Sequence, residues 1–207
     1  MKKDNPRLPS LKKRVAREAA LLLYTSQEKE YKQAKKRATK NLGARTFPSN
    51  LEVARELDAI AEEMEGASRH ERLIQMRKEA LKIMQILEDF NPRLIGSVWR
   101  CAINKNSDID IVAFASTPNA VLAQLQKDGF SIVKTEWLSV TKKGRKEASF
   151  HIYLALPSGN EAEVVVRSAE EMNRYEKCEI YGDMVTGLNG PQLAKVLKED
   201  PLARFVP

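Results

Sequence analysis

Apolar residues Val15, Ala19, Leu22 and Leu23 return at helical spacing between residues 11 and 39, with charged residues between them and no glycine or proline in the run. That period predicts one helix or two in succession. Asn41-Leu42-Gly43 reads as the stop, and Ser49 or Asn50, after Phe47-Pro48, as the cap of a further helix over 51–65. Gly66-Ala67-Ser68 breaks the pattern again. Over 69–89, Leu73, Met76, Ala80, Ile83, Met84 and Leu87 form one stripe, the signature of a helix packed on a core.

Past Asn91-Pro92 the period shortens. A short strand is expected at 93–95, a short helix at 97–102, a strand at 108–114 and a helix at 118–127. Strands at 131–140, 148–156 and 161–167 follow, with Pro157-Ser158-Gly159-Asn160 as the turn between the last two. Helices over 169–175 and 190–197 close the chain. The expected fold is therefore mixed α/β (α+β): a helical region over 1–90, then a mixed sheet with flanking helices over 91–207.

Composition narrows the possibilities. With 43% hydrophobic and 30% charged residues the chain reads as a globular protein, and its longest apolar run, Ala19-Ala20-Leu21-Leu22-Leu23-Tyr24, is far short of a membrane span. No apolar stretch follows the charged start, so a cytoplasmic location is expected. Cys101 and Cys178 match no zinc spacing and are expected as free thiols. The net charge of +7 is uneven: residues 1–50 hold 14 Lys and Arg against 4 Asp and Glu, whereas the remainder holds 21 against 24. Such a basic arm fits either a polyanion such as RNA or a solvated helix face.

The chemistry concentrates between Leu94 and Val112. Asp108 and Asp110 stand two apart in an alternating strand, so both carboxylates face one way while Ile109 and Ile111 face the other. Two carboxylates that close repel unless a cation lies between them, and hard divalent ions such as Mg²⁺ take carboxylate oxygens. On its own the pair reads as half of a two-metal site or as an acidic sheet edge. Ahead of it, Gly96-Ser97 ends one strand and opens a helix, where a free backbone and a hydroxyl suit a phosphate, and Arg100 follows on the same face.

Together, Ile95-Gly96-Ser97 and Asp108-Ile109-Asp110-Ile111 resemble the nucleotidyltransferase superfamily typified by DNA polymerase beta, in particular its minimal prokaryotic members. The resemblance implies a nucleotidyltransferase-type sheet as the catalytic domain over 91–207. It also implies two Mg²⁺ ions, with Mn²⁺ as an alternative, on Asp108 and Asp110, and triphosphate contacts from Gly96, Ser97 and Arg100. Members place a third carboxylate on a later strand, a role that falls to Glu163, with Glu161 as the alternative. Cys101 departs from the glycine that follows the arginine in the polymerase-like subset. The activity implied is transfer of a nucleoside monophosphate from an NTP, ATP favoured, to RNA, protein or a small molecule, with release of pyrophosphate. The alternatives are an inactive module of the same fold that binds RNA or a partner protein, and a component of a toxin–antitoxin pair.

His151 is expected as a structural strand histidine, Trp99 as a packing residue, and Lys134, Lys142, Lys143, Arg145 and Lys146 as a loop near the substrate or simply in solvent.

Overall fold

A computed structural model describes residues 9–142 and 145–207, with the side chains of 140–147 left aside. The expected turn at Gly144 and the basic side chains from Lys142 to Lys146 lie outside the described residues. The chain divides into two compact units.

The first unit is helical: α1 (Leu11–Tyr24), α2 (Tyr31–Asn41) and α3 (Asn50–Glu65). The long apolar period up to Thr39 thus resolves into two helices, broken at residues 25–30. Their shared core is built from small residues, Ala16, Ala19, Ala20, Ala34, Ala38 and Ala61, with Val15, Val53 and Ile60 filling between them. Ser49 caps α3 in a reciprocal box: its hydroxyl accepts from the Glu52 N–H while the Glu52 carboxylate accepts from the Ser49 N–H. Gly66, at φ +52°, ends α3. Residues 104–106 and 179–182 belong with this unit, where the Asn106 amide donates to the Tyr24 carbonyl at 2.9 Å.

The second unit holds a five-stranded mixed sheet. Its strands are β1 (Arg93–Ile95), β2 (Ile109–Phe114), β3 (Ser131–Lys142), β4 (Arg145–Ala155) and β5 (Glu161–Arg167), in the order β1-β2-β5-β4-β3. Only β2 and β5 run parallel, with Asp110 opposite Glu163 and Ile111 opposite Val164. Alternation sends Ile109, Ile111, Ile152, Leu154, Val164 and Val166 into one core with Leu73, Met76, Ile83 and Leu87. Four of those core residues come from or follow α4 (Ala67–Ile86), a helix that lies within the expected helical region 1–90 yet buries its stripe in the sheet unit. The helices α5 (Gly96–Arg100), α6 (Pro118–Lys127) and α7 (Gly190–Glu199) complete the unit. The helix expected over 169–175 forms only as a short 3-10 turn at Ala169–Glu171. Among the described residues no helix is long and apolar enough to cross a membrane, and neither cysteine forms a disulfide.

Candidate functional site

Alternation and register together build the site. Asp110 and Glu163 are register partners on adjacent parallel strands, and Asp108 just precedes β2 on the same side. The three carboxylates each bring an oxygen within 4.8 Å of the others. Glu161, the alternative third acid, is exposed at the start of β5 and is not part of this cluster.

Crowding perturbs these acids in one direction. Burial, with the negative charges of Asp108 and Glu163, pushes the Asp110 carboxyl up to about 8. Asp108 is raised as well, by burial first and then by Glu163 and Glu161. The neighbouring charges that act on either aspartate are thus all negative. Three converging hard oxygen donors suit a Mg²⁺ or Mn²⁺ ion, so the donor set fits the implied metal.

Gly96 makes the closeness possible. Its φ is +70°, and a Cβ there would lie 2.7 Å from Cγ of Asp110 and closer still to its Oδ2. The turn between β1 and α5 therefore lies directly on the Asp110 carboxylate, an approach open only to glycine. Ser97 follows, half-buried, with no hydrogen-bond partner for its hydroxyl among the described residues.

The support under this turn was not legible in the motif. Arg77 of α4 is fully buried and donates to four carbonyls: Val98 at 3.2 Å, Trp99 at 2.9 Å, Pro201 at 2.7 Å and Ala203 at 2.9 Å. The first two are carbonyls near the end of α5, so one side chain ties the short helix to the C-terminal segment. An arginine inside the Leu73–Met84 apolar stripe was the available signal. Cys101 takes φ +59° and ψ 41°, the left-handed conformation that explains a glycine in the polymerase-like pattern.

Arg100 is engaged within the fold. Its guanidinium does not stand free for a phosphate: it is buried and forks onto Asp183, with Nη2 to Oδ1 at 2.8 Å and Nη1 to Oδ2 at 3.1 Å. Nη1 also donates to the Phe205 carbonyl at 2.9 Å, and the group lies 4.3 Å from the Trp99 ring centroid. Asp183 is too distant in sequence for any local spacing to announce the pair. Trp99 is buried, as a packing residue should be.

His151, a hydrogen-bonding strand histidine as expected, has partners on both ring nitrogens. Its Nδ1 lies 2.6 Å from Glu163 Oε1, and its Nε2 lies 2.7 Å from Ser149 Oγ. Ser149, His151 and Tyr153 alternate along β4, the same period of two that marks the aspartates. Tyr153 donates to Glu136 at 2.7 Å, and its phenol is held above the ordinary range by burial, Glu136 and Glu163. Lys134 pairs with Glu136 at 3.0 Å within β3.

No protein-family profile matches the chain, and no curated protein matches it. Among solved structures, 54% of this chain is similar to 36% of the chain in the structure of Cid1 in complex with the UTP analog UMPNPP, at 16% identity and a TM-score of 0.35. The match spans about a third of that protein's length. Likeness at this level leaves function to be argued from the residues themselves.

Proposed function

We propose that this protein is a divalent-metal-dependent nucleotidyltransferase that moves a nucleoside monophosphate from an NTP, ATP favoured, to RNA. The observation that carries the reading is the Asp108–Asp110–Glu163 cluster lying against the Gly96 turn. Asp108, Asp110 and Glu163 would hold Mg²⁺, which when bound there neutralises phosphate charge and acidifies the attacking hydroxyl. The catalytic part is the region 91–207, completed by α4.

The protein's own groups divide the remaining work. The Ser97 hydroxyl donates to an oxygen of the triphosphate, and the turn at Gly96 brings that triphosphate against the carboxylates. Glu163 accepts the proton of the acceptor hydroxyl as its oxygen bonds to the α-phosphorus. The bond from that phosphorus to the bridging oxygen breaks in line, and pyrophosphate leaves with the electron pair. Arg77 and the Arg100–Asp183 pair keep α5 rigid during this exchange.

RNA is favoured as acceptor by the uneven pairing of charge in the helical unit. Two basic residues of α1 are held tightly by α3: Lys12 meets Glu52 at 2.9 Å and Arg17 meets Glu63 at 2.6 Å. On α2, Lys32, Lys36 and Lys40 fall one helical turn apart, all exposed and without an acidic partner among the described residues. Steps of four residues at about 1.5 Å each set them about 6 Å apart, a row suited to a chain of phosphates.

Incubation with each radiolabelled NTP and total RNA, with and without Mg²⁺, tests the proposal. Label should enter RNA with the wild type and fall at least about 10³-fold in the Asp108→Ala, Asp110→Ala double variant, the loss expected when several kcal/mol of charge stabilisation go. No transfer, together with no Mg²⁺-dependent NTP binding by calorimetry, would leave the inactive binding module in its place.

A further inference from the structure

We propose that His151, itself held by Ser149, is a positioning residue that fixes the orientation of the Glu163 carboxylate towards Asp108 and Asp110. The proposal rests on the reading of that cluster as a divalent-cation site. A glutamate has three side-chain torsions, and an unrestrained one facing two other acids would swing away from them. Here Oε1 of Glu163 is tied at 2.6 Å to Nδ1 of His151. An ionised carboxylate only accepts, so Nδ1 carries the hydrogen, and in the neutral ring Nε2 is left to accept the Ser149 hydroxyl at 2.7 Å.

Every link of this chain is set by strand register rather than by loop chance. Ser149 and His151 are two apart on β4, Glu163 lies opposite Tyr153 on β5, and His151 reaches it along the diagonal. The His151 ring also lies 24° from parallel to the Tyr153 ring, with centroids 6.4 Å apart. All three side chains of the chain are at least partly shielded from solvent. Ser149 therefore orients the imidazole, the imidazole orients the carboxylate, and the carboxylate meets the aspartates already placed for a cation.

Mn²⁺ alone is the probe, with its dissociation constant read by calorimetry and by the paramagnetic resonance of free Mn²⁺. His151→Ala should weaken Mn²⁺ about 10-fold to 100-fold, the usual loss when the partner that orients a ligand is removed. His151→Asn, whose amide can occupy the place of Nδ1–H, should recover most of that loss, and Ser149→Ala should fall between the wild type and His151→Ala. In nucleotidyl transfer the Ala variant should lose kcat while KM for the NTP stays within about 3-fold, as expected for a group that acts on the chemical step. Circular dichroism and a thermal scan verify that each variant is folded.

Unchanged Mn²⁺ affinity in a folded His151→Ala would overturn the proposal while leaving the cluster intact as a metal site. Equal losses in the Ala and Asn variants would overturn it as well, since the ring and not the hydrogen bond would then matter. Absence of Mn²⁺ binding by the wild type would overturn the reading of the cluster itself, and this proposal with it. Ser149, His151 and Glu163 also have the order of a serine hydrolase triad. Ester hydrolysis by the wild type that Ser149→Ala abolishes without moving Mn²⁺ affinity would assign them to that chemistry instead.

Discussion

The seam between α1 and α3 and the seam between β2 and β5 handle acidic residues in opposite ways. In the helices Glu52, Glu56 and Glu63 each meet a base, and Glu52 is held down to about 2 by the Ser49 backbone bond and by Lys12. Between the strands Asp110 is pushed up to about 8 by burial and by its acidic neighbours. The first arrangement favours folding; the second opposes it and is tolerated only where something else compensates. Acids that cost stability between two interior strands of the sheet are most simply explained by a cation bound among them.

The largest effect should come from breaking the close approach at the strand seam. Gly96→Ala places a methyl group onto the Asp110 carboxylate at a left-handed φ, so nucleotidyl transfer should drop at least about 100-fold through displaced geometry alone. Steady-state label transfer measures it, and a variant with near wild-type activity would show that the turn and the carboxylate are not in contact.

Next comes the support beneath the turn. Arg77→Met removes the donor from four carbonyls in a buried site, and the sheet unit should lose about 3 kcal/mol or more in urea unfolding. Because Ser49 and its capping box lie in the other unit, Ser49→Ala should lose only about 1 kcal/mol there. A sheet unit indifferent to Arg77→Met would remove the structural reason for the fixed α5.

The last effect, and the sharpest for the comparison, is the sign of the pH dependence. Asp110 in the metal-free fold binds its proton more tightly than in the unfolded chain. Its contribution is thus fully present below about pH 4 and is lost as pH rises to about 8. Glu52 runs the other way: its lowered value contributes stability above pH 4.5 that disappears as pH falls towards 2. Hydrogen exchange resolved by segment, with a chelator present, should show the two units responding with opposite slopes.

Much of this was legible because local rules govern it. The strands 93–95 and 161–167 and the helix 118–127 appear with the expected bounds, since turn residues and a change of period mark their ends. Gly96, Asp108, Asp110 and Glu163 were legible for the same reason: alternation puts each acid on a known face, and β2–β5 register brings those faces together. The Arg100–Asp183 pair is not legible in the sequence, because Asp183 comes from a distant loop that no spacing predicts. The partners of His151 are not legible either, because they depend on which strand lies beside β4. The stripe of α4 was visible, but the surface it covers is decided only in three dimensions.

Calorimetric titration of Mn²⁺ into the wild type and Asp110→Asn at pH 7.5 tests the central claim most directly. Binding by the wild type is expected, with at least about 100-fold weaker binding by the variant and a variant no less stable than the wild type when both are free of metal. Equal Mn²⁺ affinity in the two proteins, or a variant that is markedly less stable without metal, would contradict it, because Asp110 would then serve the fold rather than a cation.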